Sequence, residues 1–226
     1  VIGIDGENTV IQVYEATAGL RPGEPVVGEG MPLSVTLAPG IISGIFDGIE
    51  RPLDIIAEKT GAFIARGVDV EQLDMEKKWD AHIAVKTGDK VTGGTVIAEV
   101  QESALIMHKA MIPPGVEGTV AEAKPDGSYT ICEPIVTVKT DGGELLEIPM
   151  LQKWPIRQGR PYAVRRAIEK LLVTGQRVID TLFPIAKGGT AAIPGSFGTG
   201  KTMTQHQLAK WCDADIIVYI GCRARQ

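Results

Sequence analysis

Aromatic residues are scarce, at 5% of 226 residues. Barrels that grip single-stranded nucleic acid stack bases on aromatic rings inside a basic groove. The chain lacks that balance as well, with a net charge of −5, so nucleic acid is not the expected partner. Cysteine is nearly missing too. Cys132, Cys212 and Cys222 form no CxxC pair, which argues against a disulfide framework and reads as free thiols in a reducing cytosol. A metal centre at Cys212 and Cys222 would need further ligands, and His206 is the one nearby candidate. No apolar run approaches the roughly 20 residues of a membrane-spanning helix. The opening Val1-Ile2-Gly3-Ile4 meets Asp5 at once, unlike a secretory leader, so membrane association is expected only through partners. What the chain does hold is 44% hydrophobic residues, enough for real cores in one large domain or two to three small ones.

The most informative stretch is Gly195-Ser196-Phe197-Gly198-Thr199-Gly200-Lys201-Thr202. It fits the phosphate-loop pattern GxxxxGK[ST] at every fixed position. Its flanks predict a βαβ unit: Thr190–Ile193 as a buried strand, Met203–Trp211 as a helix, and Asp215–Ile220 as a second strand. Glycines let the backbone approach a ligand closely, inward-pointing loop amides line an anion-binding hollow, and the helix start adds its positive end. Lys201 is placed to reach the β- and γ-phosphates, and Thr202 to offer its hydroxyl to Mg²⁺.

The rest of the chain divides by pattern. Residues 1–50 look all-β, with the β-branched and aromatic run Thr9–Tyr14, turn chemistry at Gly19–Pro25 and period-two alternation at Leu33–Leu37. That suits a small barrel. The pattern begins part-way, so earlier barrel strands are expected to precede it. Residues 51–78 read as a connector with a helix from Leu53 to Lys59, stopped by Gly61. Residues 79–154 are again β-rich, bracketed by Trp79 and Trp154. Strands are expected at Thr95–Val100, up to Ala123, at Ile131–Lys139 and at Leu145–Ile148, with a hairpin turn at Pro125–Ser128. The pattern GDxVxxG also suits a lipoyl- or biotin-carrier module. Its candidate lysine, Lys109, lacks the turn such a module needs, so a non-catalytic structural module is the favoured reading. From Pro155 to Gln226 the character is α/β, with Tyr162–Leu172 expected helical and Thr174–Phe183 an amphipathic segment closed by Pro184. His82 and His108 lack evident partners and read as surface or packed histidines. Lys153 and Arg157 beside Trp154-Pro155 read as a solvated hinge.

Four stretches together carry a resemblance: Ile45-Phe46-Asp47-Gly48-Ile49-Glu50-Arg51-Pro52-Leu53, Gln152-Lys153-Trp154-Pro155-Ile156-Arg157, Thr174 to Gly189, and the loop with its helix from Gly195 to Trp211. They resemble the catalytic A subunit of archaeal A-type and related V-type rotary ATPases. The resemblance implies a multidomain β plus α/β fold: an N-terminal β-barrel, a protruding β-rich bulge at 79–154, and the start of a RecA-like P-loop nucleotide-binding domain at 155–226. It implies Mg²⁺ as cofactor, ATP and ADP as substrates, and B subunits alternating with A subunits in a hexameric ring. Central and peripheral stalk subunits are the further partners. Ion transport runs through a membrane rotor, and the catalytic ring sits in the cytoplasm, peripheral to the cell membrane. Gly195 to Thr202 then bind phosphates and Mg²⁺, with Lys201 stabilising charge on the transferring phosphoryl group. The family's catalytic polypeptide is more than twice this length, so a truncated form is expected. After Tyr219-Ile220-Gly221-Cys222 the family reads GERGNE, whereas this chain reads Arg223-Ala224-Arg225-Gln226. Ala224 stands where the family's water-activating glutamate belongs, so this chain alone is expected to be inactive. Two alternatives stay in view. One is a non-catalytic nucleotide-binding subunit of the same ring, against which Lys201 and Thr202 argue. The other is an RNA-translocating RecA-like motor, against which the acidic balance argues.

Overall fold

The structure, a computed structural model, describes residues 1–28, 30–42, 44–162 and 164–221. It forms two compact units, Val1–Pro161 and Tyr162–Gln226.

In the first unit, β1 (Gly3–Asp5) and β2 (Asn8–Val10) form an antiparallel hairpin. β3 (Ser34–Leu37) stands apart from it in the sequence, and α1 (Leu53–Thr60) follows. A run of nine strands then leads to Pro155: β4 (Lys78–Ile83), β5 (Lys90–Val91), β6 (Val96–Gln101), β7 (Met107–Met111), β8 (Gly118–Ala123), β9 (Gly127–Thr130), β10 (Pro134–Thr140), β11 (Leu145–Pro149) and β12 (Gln152–Pro155). Two four-stranded antiparallel sheets dominate, ordered β11-β10-β8-β5 and β7-β6-β4-β9. β12 pairs with β3, Trp154 opposite Val35, so a late strand closes onto an early one.

Alternation builds the core. In β4 the odd positions Trp79 and Ala81 are buried while Lys78, Asp80 and His82 face outward, as a half-solvated sheet requires. One hydrophobic cluster draws Trp79, Ile97 and Val100 from one sheet and Val120, Val138 and Ile148 from the other. That shared interior makes the two sheets a sandwich. Fully burying a side chain of this size is worth roughly 1.5–3 kcal/mol.

α1 forms as expected. Its last turn ends at Gly61, whose φ of 78° lies in the left-handed region, and the Gly61 amide donates to Ala57 O at 2.9 Å. Just before it, the segment Asp47–Pro52 is cross-tied. Asp47 Oδ1 accepts from the Ile49 and Arg51 amides, and Asp47 Oδ2 accepts from Arg51 Nε at 2.7 Å. Arg51 also donates to Glu15 Oε1 at 3.2 Å and Val68 O at 3.0 Å. Glu50 takes a positive φ of 65°, uncommon for a non-glycine residue. Its carboxylate accepts from the Thr36 amide at 2.6 Å. Thr36 is itself buried and its hydroxyl pairs with Gln72.

Several expectations need correction. No closed barrel is found among the described residues of 1–50; β2 stops at Val10, and Ile11, Val13 and Tyr14 stay exposed. A short two-stranded hairpin has no second layer on which to bury such residues. Pro125–Ser128 is not a hairpin turn: it carries the chain from β8 in one sheet to β9 in the other. Local turn chemistry was right there, but pairing is decided by distant strands.

In the second unit, β13 (Leu171–Leu172) pairs with β14 (Ile185–Ala186) around α2 (Arg177–Leu182), and α3 (Lys201–Trp211) follows. The expected helix at Tyr162–Leu172 does not form among the described residues, and its end is the strand β13 instead. Tyr162, Val164 and Ile168 are exposed; a short helix draws most of its stability from a buried face, and this one has none. The expected strands Thr190–Ile193 and Asp215–Ile220 are not formed either. Each is an apolar run suited to a central parallel strand. Such a strand needs hydrogen-bonded neighbours, and neither run pairs with another strand among the described residues.

Candidate functional site: the phosphate loop

Gly195 to Gly200 form the turn that opens α3, and Lys201 and Thr202 are its first two residues. Gly200 sits in the left-handed region (φ 81°, ψ 13°) at the N-cap, a conformation glycine adopts without steric cost. A Cβ on Gly195 would lie 2.6 Å from Thr199 Oγ1, so a larger residue would push the Thr199 side chain out of its present place in the loop. Thr199 Oγ1 donates to Ser196 O at 2.9 Å, and the Thr204 amide and hydroxyl both donate to Gly200 O. Lys201 Nζ turns back over the loop, donating to Ser196 O at 2.8 Å and to Gly195 O. Ser196 and Gly198 are exposed, and Phe197 is fully so.

This arrangement is suited to an anion. The first amides of α3 lack intrahelical acceptors, and the helix start carries partial positive charge. The Lys201 ammonium lies over the same turn, neutralised only by the Gly195 and Ser196 carbonyls, which an incoming phosphate oxygen outcompetes as acceptor. Thr202 is exposed one residue further on. Among the described residues no group of three or more His, Cys, Asp or Glu side chains is gathered to hold a metal. A magnesium ion here would take one oxygen from Thr202 and the rest from phosphates and water, which is how this hard, strongly hydrated cation is commonly held. The protein oxygen available to such an ion here is the Thr202 hydroxyl.

The far end of α3 is anchored by residues whose role no sequence motif announces. Asp180 accepts from the Thr174 amide (2.9 Å), the Thr174 hydroxyl (2.6 Å) and the Gly175 amide (3.1 Å). Those donors, the Thr174 hydroxyl foremost, hold the Asp180 carboxyl below its ordinary value. Asp213 is held low as well, first by its pairing with Lys187 at 2.7 Å and then by the Val173 amide. The only advance sign of this knot was its spacing, a Thr-Gly turn with an aspartate six residues after the threonine.

Three other candidates are placed by the first unit. Lys109 lies in mid-strand, opposite Glu99 and 3.5 Å from its carboxylate, not at the hairpin tip a carrier lysine requires. His82 and His108 do have partners: His82 Nδ1 lies 2.6 Å from Asp126 Oδ2, and His108 Nδ1 lies 3.7 Å from Glu102 Oε2. Sheet pairing brings these groups together, which sequence spacing did not disclose. Cys222 and Ala224 lie outside the described residues.

A protein-family model described as the ATP synthase alpha/beta subunit barrel-sandwich domain matches residues 70–157. A second, described as the nucleotide-binding domain of the ATP synthase alpha/beta family, matches residues 175–226. The chain belongs to the ATP synthase alpha/beta family. Its relatives in that family include the V-type ATP synthase alpha chain of Thermoanaerobacter sp. (strain X514), 57% identical over 225 residues, covering 100% of this chain and 38% of that protein. The V-type ATP synthase alpha chain of Acetivibrio thermocellus is 58% identical with the same coverage. The corresponding A subunit of the A-type ATP synthase of Thermococcus sibiricus is 55% identical, again over 100% of this chain and 38% of that protein. The chain thus spans 38% of the length of these relatives. The barrel-sandwich match covers the two-sheet core of the first unit, and the nucleotide-binding match covers the phosphate loop and α3.

Proposed function

We propose that this chain is the N-terminal part of the catalytic A subunit of a rotary ATP synthase or ATPase, and that Gly195–Thr202 is its Mg-nucleotide phosphate site. The observation that carries the reading is Lys201 Nζ folded over the loop at the start of α3, in a chain 57% identical to a V-type ATP synthase alpha chain. On this reading the loop amides and Lys201 bind the β- and γ-phosphates of ATP or ADP. Mg²⁺, held in part by Thr202, supplies further neutralisation of phosphate charge. Lys201 lowers the barrier by countering charge on the transferring phosphoryl group where the field is strongest.

The wider assignments belong to the same proposal. Residues 51–78 connect, 79–154 form the bulge, and 155–226 begin a RecA-like nucleotide domain. The ring partners are B subunits, with central and peripheral stalk subunits attached. The site lies on the cytoplasmic side, peripheral to the membrane, and reaches ion transport through the rotor. No helix among the described residues is long and apolar enough to cross a membrane.

Turnover also needs a group to orient and deprotonate water, an assistance worth about two to four orders of magnitude. Ala224 has no such group, so binding without turnover is the expected behaviour of this chain. The proposal is tested in the full-length protein, assembled with its ring partners, by Lys201→Ala. ATP turnover should fall by a factor of about 100 or more, the loss seen on removing one electrostatic stabiliser. Near-normal turnover would contradict the assignment of Lys201.

A further inference from the structure

Thr174 is the one fully buried residue among the described residues of the second unit, at 0% exposure. Larger apolar neighbours such as Phe183 stay exposed. Hydrophobic burial does not explain this placement; polar convergence does. Three donors from Thr174 and Gly175 meet on the two oxygens of Asp180, and the Thr174 hydroxyl oxygen accepts in turn from the Gln176 amide. A carboxylate can accept on both oxygens, whereas an amide of the same shape can accept on only one. The turn therefore calls for aspartate in particular.

The turn so fixed presses on α3. Gly175 has a φ of 75°, and a Cβ there would lie 2.9 Å from Trp211 Cβ. Trp211 is the last residue of α3. Two residues on, the Asp213 amide donates to Val173 O, and Asp213 Oδ1 accepts from the Val173 amide, both at 3.0 Å. The C-terminal end of α3 is thus gripped through contact with Gly175 and through a two-way bond to Val173. Its other end is Lys201 and the phosphate loop. α3 buries no residue of its own, so side-chain packing does little to hold it. An 11-residue helix is a rod of roughly 16 Å at 1.5 Å per residue, and a shift at Trp211 is carried to Lys201.

We propose that Asp180 is a positioning residue for phosphate binding: by holding the Thr174-Gly175 turn against Trp211 it sets where α3 presents Lys201 and Thr202. The inference rests on the phosphate-site reading above. Asp180 touches no phosphate itself. The charged groups facing it are few: Asp213 disfavours its ionisation, and Lys187 offsets Asp213.

The test uses the 226-residue chain and Mg-ADP as probe, followed by calorimetry and by the Trp211 indole N–H resonance. Lys201→Ala tests the underlying reading; if it binds as the wild type does, the phosphate site is wrong, whatever Asp180 does. With Lys201 shown necessary, Asp180→Asn should weaken Mg-ADP on the order of tenfold, the scale of one lost charge-assisted hydrogen bond. The far-UV circular dichroism should be unchanged and the Trp211 resonance displaced. Asp180→Glu should restore part of the affinity. Weakening should deepen in the wild type as pH falls through the Asp180 pKa, and that acid limb should be missing in Asp180→Asn. Should Asp180→Asn unfold the unit, Thr174→Val removes one of the three donors at constant shape and should produce the same displacement with a smaller loss of affinity. Wild-type affinity and an unmoved Trp211 signal in either folded variant would overturn the proposal.

Discussion

Replacing Arg51 by methionine keeps the aliphatic stem and removes a guanidinium that donates to three acceptors: Asp47 Oδ2, Glu15 Oε1 and Val68 O. The Arg51 and Asp47 side chains are each only 14% exposed, whereas Glu15 is 33% exposed. The Asp47 contact should dominate, because hydrogen bonds to charged groups are worth about 1.5–3 kcal/mol, with residual solvent favouring the lower end. Val68 O loses a donor at a cost of about 1 kcal/mol. The sum is about 3 kcal/mol, which for a unit of this size lowers Tm by roughly 6–12 °C. The pH dependence has a definite sign. Burial pushes the Asp47 carboxyl up, but the Arg51 amide and guanidinium and the Ile49 amide outweigh it and hold the pKa below 3.8. Asp47 therefore contributes stability above its unfolded pKa, and that contribution is lost as pH falls through the folded value. Arg51→Met should remove part of this acid slope. The assay is calorimetry from pH 3 upward (~3–7, spanning the carboxylate range) on wild type, Arg51→Met, Asp47→Asn and the double variant. A fall in Tm under about 2 °C, or strictly additive single effects, would refute the coupling.

Two shorter predictions concern the same unit. Ile97 is fully buried in the shared core, so Ile97→Ala should cost about 2–5 kcal/mol by lost transfer energy and cavity formation; calorimetry showing less than about 1 kcal/mol would mean that the two sheets do not share that core. Burial pushes the Glu50 carboxyl above 4.5, with the Thr36 amide working against it. Its stabilising contribution is full below the unfolded pKa and lost as pH rises through the folded one. Glu50→Gln keeps an acceptor for Thr36 without the charge, so its stability should lack that decline; an identical pH profile in urea melts would contradict the assigned burial.

Much of this was legible in the residues. The expected runs Ile131–Lys139 and Leu145–Ile148 are found as β10 and β11, and the buried-exposed alternation of Trp79 to His82 follows from a sheet with one wet face, which imposes period two on its sequence. The glycine turn ending at Gly200 and the helix α3 were legible because glycine at these positions answers a local geometric need. Where partners are distant, the same signals failed. Pro125–Ser128 has hairpin chemistry, yet β9 pairs with β4, almost 50 residues earlier in the chain. Thr190–Ile193 and Asp215–Ile220 have strand composition, yet composition supplies no neighbour to bond to. The grip of Asp180 on Thr174 and Gly175 escaped notice because a threonine, a glycine amide and an aspartate do not declare their contact until the fold converges them.

The central claim is that Gly195–Thr202 binds the phosphates of a magnesium nucleotide. The most direct measurement follows the backbone amide resonances of Gly198, Gly200 and Lys201 in the 226-residue chain as Mg-ATP is added. A saturable shift of these three amides, absent in Lys201→Ala, is the predicted result. Unmoved loop amides at saturating nucleotide, or equal shifts in the Lys201→Ala chain, would contradict it.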